Sequence, residues 1–220
     1  MDTKDEYGIW SQTPLNLGWL QRKLNPTEIN HLWDCVKNKG EDNRYRLAGN
    51  ISASHIIPDK NNWLFEHTLL PLCSAYGEIF ENLGDRIPTS ERHTYNLQGF
   101  WVNYQYQTEF NPLHSHSGIY SFTIWLKIPT EYVEQKKKPI AAASEPKDEE
   151  GIKPISNFAF FYVDILGNIR RHIYEMTSRA EGHILFFPSQ LQHEVYPFYD
   201  CDEERISISG NIGLDTKDTN

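Results

Sequence analysis

The stretch Gln190–Asn211, QLQHEVYPFYDCDEERISISGN, decides how this chain is read. It carries a lone histidine, His193, soon after the apolar run His183–Phe187 and the segment Phe187-Pro188-Ser189. It ends in a strand-like alternation, Arg205-Ile206-Ser207-Ile208-Ser209. Successive side chains of a strand point to opposite faces, so Arg205, Ser207 and Ser209 share one face and Ile206 and Ile208 take the other. An arginine on such a strand is costly if it is buried without a partner. Its fork suits a carboxylate, and Ser207 can add a hydrogen bond. A salt bridge to Asp202 or Glu203 is the plainer reading of the same arginine.

Upstream, NPLHSHSG places His114 and His116 two residues apart. On a strand the two imidazoles would share a face, where they can hold one metal ion. His193 lies 77 residues after His116 (193 − 116), enough chain for several strands to bring it back beside the pair. The remaining histidines, among them His31, His55, His67, His93, His172 and His183, have no such partner pattern and read as structural.

Around these motifs the sequence has the period of strands. Leu97–Gln105, Ile119–Ile128, Phe158–Val163, Ile169–Tyr174, His183–Phe187 and Arg205–Ile212 are each short and rich in β-branched or aromatic residues. Leu166-Gly167-Asn168 reads as a hairpin turn. The N-terminal part has a helical period instead. Asn25 can cap a helix that opens with Pro26 and Glu28 and stops near Gly40. A second helix is expected over Asn62–Leu83, kinked or split at Pro71 and ended by Gly84. Residues 1–24 read as a short strand or an extended arm with Ile9, Trp10, Leu15, Leu17, Trp19 and Leu20 against the core. Thr130–Pro154 has no apolar period and reads as a mobile loop, and the tail 215–220 reads as frayed.

Strands following a helical layer predict a mainly β fold, a β-sandwich or jelly roll with buttressing α-helices. The expected organisation is a single domain over 1–220, with helical support over 1–95 and the β core over 96–213. A net charge of −9 argues against nucleic-acid binding. Lys136–Lys138 and the acidic stretches 145–150 and 200–204 read as solvated loops. Cys35, Cys73 and Cys201 form no CxxC pair and read as reduced thiols of a cytosol-like compartment. Neither a signal peptide nor a run of about 18 apolar residues is found, so a cytoplasmic protein without a membrane span is expected.

Taken in order, FWVNYQYQTEFNPLHSHSG, FPSQLQHEVYPF and ERISISGNI resemble the Fe(II)/2-oxoglutarate-dependent oxygenase superfamily, and within it enzymes often encoded by marine bacteriophages. The resemblance covers residues 99–213. It implies a double-stranded β-helix and an Fe(II) centre on His114, His116 and His193. It also implies 2-oxoglutarate as co-substrate, its far carboxylate on Arg205 and Ser207. Relatives carry a co-substrate-binding Asn-x-Tyr where this chain has Asn103-Tyr104-Gln105, so the asparagine matches and the tyrosine does not. Most of the superfamily has Asp or Glu where this chain has His116. His116 is then either an iron ligand, leaving the centre one negative charge short, or an outer residue orienting a bound water. The implied reaction consumes O2 and hydroxylates a C–H bond of a small molecule or of a protein side chain such as proline. It releases succinate and CO2, in the host cytoplasm if the protein is phage-encoded. Two alternatives are a cupin-like three-histidine iron dioxygenase without 2-oxoglutarate and a non-catalytic jelly-roll binding protein. Trp101, Tyr120 and Trp125 read as core residues of the barrel strands, Tyr120, close after the histidine pair, being the one to meet substrate if any does, and 130–154 is the expected lid.

Overall fold

The computed structural model describes residues 8–10, 14, 16–88, 92–142, 148 and 150–217. Among the described residues, ten strands form two antiparallel sheets. Strands β1 (Leu20–Lys23), β2 (Ala53–Ile56), β3 (Arg92–Gln105), β5 (Tyr120–Lys127), β8 (His183–Pro188) and β10 (Arg205–Lys217) make the larger one, in the order β1-β8-β5-β10-β3-β2. Strands β4 (Asn111–His114), β6 (Phe158–Val163), β7 (Ile169–Tyr174) and β9 (Gln192–Val195) make the smaller one, in the order β4-β9-β6-β7. The fold is mainly β, a jelly roll with helices on one side.

Alternation along the larger sheet explains this layering. Val102, Ile124, Leu126, Ile184, Phe186, Ile206 and Ile208 point outward and are buried against the helices. Helix α1 (Pro26–Lys37) contributes Leu32, Cys35 and Val36, and α2 (Leu70–Ile79) contributes Leu72, Cys73 and Tyr76. Each such apolar side chain taken from water stabilises the fold by about 1.5–3 kcal/mol. The opposite residues of the same strands turn inward towards the smaller sheet. Trp125, Leu185 and Phe187 there meet Phe158 and Phe160.

Helix α1 starts as expected: Asn25 accepts from the Glu28 N–H at 3.0 Å and the Glu28 side chain accepts from the Asn25 N–H at 2.8 Å. The second helix is interrupted, but not by a simple kink. Phe65–Leu69 wind as a π-helix, α2 begins at Leu70 with Pro71 in its first turn, and Leu83–Arg86 form a separate 3-10 turn. Pro71 has no N–H for the His67 carbonyl and its ring would clash there, and the wider π turn relieves both problems. Four strands of only four residues (β1, β2, β4 and β9) are too short to show a period in sequence. Two others outrun their expected limits. β3 begins at Arg92 rather than Leu97, and β10 continues to Lys217, so residues 215–217 are paired rather than frayed.

Within 130–154, two short helices, α3 (Tyr132–Gln135) and α4 (Pro139–Ala142), bury Tyr132 and Ala141 against Ile155. Expectations for residues 1–7, Leu15, 143–147, 149 and 218–220 fall outside the described residues. Among the described residues, no helix is long and apolar enough to cross a membrane, and Cys35, Cys73 and Cys201 are free thiols.

Candidate active site

A cavity of about 210 Å³ lies between the two sheets. The larger sheet supplies Trp101, Asn103 and Gln105 from β3, Thr123 and Trp125 from β5, and Arg205, Ser207 and Ser209 from β10. The smaller sheet and the turn before β5 supply His114, His116 and His193.

The three histidines meet because of strand register. His114 and His193 are direct cross-strand partners on β4 and β9, with ring centroids 4.3 Å apart. His116 does not share their strand geometry. β4 ends at His114, and His116 lies in the following turn, so the expected same-strand pair is instead a strand end plus a turn. That turn is bolted to the one leading into β9. The His116 N–H donates to the Ser189 carbonyl (2.8 Å), Gln190 Nε2 donates to the His116 carbonyl (3.0 Å), and the Ser189 hydroxyl donates to the Gly118 carbonyl. Gly118 has φ +98°, and a Cβ there would stand 2.7 Å from the Ile212 carbonyl, so the turn requires glycine.

Ring orientation follows from the hydrogen bonds. His114 Nδ1 lies 2.7 Å from the Pro112 carbonyl and His193 Nδ1 lies 2.9 Å from the Leu191 carbonyl. A carbonyl only accepts, so each Nδ1 carries the proton and each Nε2 presents a lone pair. This is the tautomer that metal-binding histidines adopt. His116 Nε2 stands 3.2 Å from His193 Nε2. Two nitrogens each about 2.1 Å from one ion, at a right angle, would stand about 3.0 Å apart. One nitrogen from each ring lies within 4.8 Å of the others, so the donor set fits a single metal ion. Burial lowers all three pKa values, and repulsion between the rings lowers those of His116 and His193 further. His116 falls to about 4 and His193 well below the usual range. The three imidazoles are therefore neutral at pH 7. Phe158, stacked on His193 at 5.5 Å, and Trp101, 5.8 Å from His116, limit their rotation.

Arg205 sits in the same cavity and is 1% exposed. Its Nη2 donates to the Ser156 carbonyl (2.6 Å) and hydroxyl (2.9 Å), its Nη1 donates to Gln105 Oε1 (3.3 Å), and its guanidinium lies over the Phe198 ring. No carboxylate pairs with it among the described residues. Glu203 instead reaches Lys127 and Asp202 accepts from Gln107, so the salt-bridge reading is overturned. Of its five N–H donors three are used (5 − 3 = 2), and Nε is buried without a partner. Burial lowers its pKa to about 9, so it remains a cation at pH 7.

Ser207 and Asn103 face each other across β10 and β3, and Asn103 accepts from the Ser54 hydroxyl at 2.8 Å. Arg205, Ser207 and Ser209 thus share the cavity face as the alternation predicts, and Asn103, which the resemblance implies, lines the same cavity. Tyr120 does not. It is fully buried on the helix side, packed against Tyr76 and Phe186, and its hydroxyl accepts from the Leu83 N–H. It is a core residue and not a substrate contact. Gln105, Ser156, Trp101 and Trp125 were not singled out for the site. Gln105 follows Asn103 by two residues on one strand face, a signal that was there to use. The wall formed by Arg46–Gly49 and Ile51 has no local signal in sequence.

Comparison with known proteins agrees with this geometry. Residues 99–211 match the family model 2OG-FeII_Oxy_5, described as "Putative 2OG-Fe(II) oxygenase". No curated protein matches the chain. Among solved structures it is similar to a prolyl-4-hydroxylase from Pseudomonas putida (16% identity, 88% of this chain and 91% of that one, TM-score 0.46). It is also similar to a viral collagen prolyl hydroxylase from Paramecium bursaria Chlorella virus-1, in complex with 2-oxoglutarate (11%, 88% and 94%, 0.47). A third is a Trichoplax adhaerens prolyl hydroxylase in complex with a hypoxia-inducible-factor peptide (12%, 90% and 82%, 0.48).

Proposed function

Because the chain belongs to the 2OG-Fe(II) oxygenase family, we propose that it is a working dioxygenase that hydroxylates a C–H bond of a small molecule or protein side chain, with His114, His116 and His193 holding Fe(II) and Arg205, Ser207 and Asn103 receiving 2-oxoglutarate. Bound iron would supply O2 activation coupled to decarboxylation of the co-substrate to succinate and CO2. Every other task belongs to the protein. His114 and His193 offer lone pairs already oriented by the Pro112 and Leu191 carbonyls. The third position is neutral His116 where relatives carry a carboxylate, so a dianion approaches this centre without that repulsion. Trp101, Trp125, Phe158 and Phe187 keep the inner wall of the cavity apolar, which limits water near the reacting carbon.

The observation that carries the reading is Arg205. A buried cation with no counter-ion costs several kcal/mol. A carboxylate in the cavity would offset that cost and take the two donors left over, in a charge-assisted pair. A three-histidine dioxygenase without 2-oxoglutarate gives Arg205 nothing to do, which is why that alternative is set aside.

The test is anaerobic binding of 2-oxoglutarate to the Fe(II)-loaded protein, followed by the visible charge-transfer band and by calorimetry. Two hydrogen bonds to a charged group are worth about 3–6 kcal/mol together, so Arg205→Ala is expected to weaken binding by roughly a hundredfold to ten-thousandfold. Tight iron binding with no response to 2-oxoglutarate in the native protein would refute the co-substrate assignment. Loss of iron binding in His193→Ala, but not in Arg205→Ala, would separate the two halves of the site.

A further inference from the structure

We propose that His31, Cys35 and Asp59 form a second metal site, for a thiophilic divalent cation such as zinc, on the helix side of the larger sheet. His31 and Cys35 are four residues apart on α1 and therefore share a face one turn apart. Asp59 comes from the segment after β2 and meets them beside a cleft lined by His31, Cys35, Asp34, Asn38, Lys60 and Trp63. One donor atom from each of the three residues lies within 4.8 Å of the others, and His31 Nε2 donates to Asp59 Oδ1 at 2.9 Å, a hydrogen bond that a bound ion would replace, the imidazole proton moving to Nδ1. A tetrahedral ion about 2.3 Å from sulfur and about 2.0 Å from nitrogen and oxygen needs donors roughly 3.3–3.5 Å apart. The His31–Asp59 pair would open by about 0.4 Å and the Cys35 sulfur, within 4.8 Å, would close on them.

The donors are held in advance. Asp59 Oδ1 accepts from the Leu64 N–H and Oδ2 from the Phe65 N–H, both at 2.9 Å, which fixes the carboxylate and leaves Oδ2 a free lone pair. The His31 ring packs tilted against Trp63, with ring centroids 4.6 Å apart. Burial, and after it the Asp59 and Asp34 carboxylates, push the Cys35 thiol up to about 12, so without an ion the site holds a protonated thiol whose proton a bound cation must displace. Charge also balances. One dication, one thiolate, one carboxylate and a neutral imidazole sum to zero, so the occupied site carries no net charge into a largely buried place. Binding deprotonates the Cys35 thiol, forms a metal–sulfur bond and releases one proton to solvent. A water molecule completes the tetrahedron on the open side.

The segment thus anchored is unusual. Asn61 and Asn62 are consecutive residues in the left-handed region (φ 58° and 53°), a conformation that asparagine tolerates but that still costs free energy. Asp59 and Asn62 also line a groove of about 570 Å³ that runs past Trp101 to His116. An ion on His31, Cys35 and Asp59 would brace α1 against one wall of that groove.

The test uses Co(II) as the probe, under reducing anaerobic conditions, on the full chain with and without His193→Ala, so that the three-histidine site can be subtracted. A thiolate-to-Co(II) charge-transfer band is expected in both proteins and should vanish when Cys35→Ser is added. His31→Gln, at a half-buried position that leaves the core intact, should weaken Co(II) binding in the His193→Ala background by more than the roughly ten- to hundredfold that losing an outer partner typically costs. Zinc should raise the melting temperature of His193→Ala protein and leave that of His193→Ala/Cys35→Ser unchanged. Absence of the band in His193→Ala protein, or its persistence after Cys35→Ser, overturns the proposal. If Cys35→Ser does not fold, unchanged Co(II) affinity in His31→Gln overturns it instead.

Discussion

The two faces of the larger sheet are built by the same strands yet obey opposite rules. Outward, Val102, Ile124, Ile208 and Phe186 are fully or almost fully buried against α1 and α2. Inward, the neighbouring positions Asn103, Thr123 and Ser207 are polar and line the cavity. Their buried charges differ in the same way. On the helix side, Glu28 is 3% exposed and its acceptors are filled by Arg22, the Thr68 hydroxyl and the Asn25 N–H. On the cavity side, Arg205 is equally buried but has two donors left over. A charge that serves folding is closed by the chain itself, whereas one that serves binding is left open for a ligand.

The largest expected effect tests the outward face. Phe186 is fully buried beside Tyr120, 4.9 Å between rings. Phe186→Ala is expected to cost about 3–5 kcal/mol of unfolding free energy by chemical denaturation. The affinity of the folded fraction for 2-oxoglutarate should not change. A loss of affinity on the scale of Arg205→Ala would mean that the two faces are coupled, and would break the comparison.

Glu28 gives a mid-sized effect and a pH signature. Burial pushes its carboxyl up, but hydrogen bonds from Arg22, Thr68 and Asn25 and the charge of Arg22 outweigh that, so its pKa is lowered. A carboxyl with a lowered folded pKa adds stability that is complete above its unfolded value and is lost as pH falls through the folded one. Acid titration of the melting temperature should therefore show a decline that begins near the ordinary glutamate value and continues below it. Glu28→Gln should flatten that decline and cost about 1.5–3 kcal/mol at neutral pH. An unchanged acid slope in the variant would show that other carboxylates carry it.

How much of this was legible in the sequence follows from the same contrast. Period-two alternation and the spacing of His114, His116, His193 and Arg205 were enough to foresee a jelly roll with a polar pocket. Alternation also put Ser207 and Ser209 on the face of Arg205, whereas Asn103 came only from the resemblance. Alternation cannot say which face of a strand meets the helices, so it could not separate Tyr120, which lies in the core, from Trp101 and Trp125, which line the cavity. Nor does it reach short elements. β4 and β9 bring His114 and His193 together, but each is four residues long and shows no period. The partners of Arg205 are scattered at Gln105, Ser156 and Phe198, joined only by the fold. The interruption before Pro71 was foreseen from the chemistry of proline, but its π form depends on packing that no local rule specifies.

The smallest effect is the sharpest test of the inward face. Ser207 follows Arg205 by two residues on β10, is paired in register with Asn103 on one side and Trp125 on the other, and lines the cavity. Its hydroxyl is a neutral donor beside a cation, so deleting it removes one ordinary hydrogen bond to a bound carboxylate. That is about 0.5–1.5 kcal/mol, or roughly a two- to twelvefold weaker affinity for 2-oxoglutarate. Ser207→Ala removes no apolar packing and leaves the Arg205 contacts to Ser156 and Gln105 in place, so stability should move by less than about 0.5 kcal/mol. Iron affinity measured without 2-oxoglutarate should not move at all, because the lone pairs of His114 and His193 are set by the Pro112 and Leu191 carbonyls. If Ser207→Ala instead lowers stability and leaves 2-oxoglutarate binding untouched, the hydroxyl belongs to the sheet and the carboxylate is received by Arg205 and Asn103 without it.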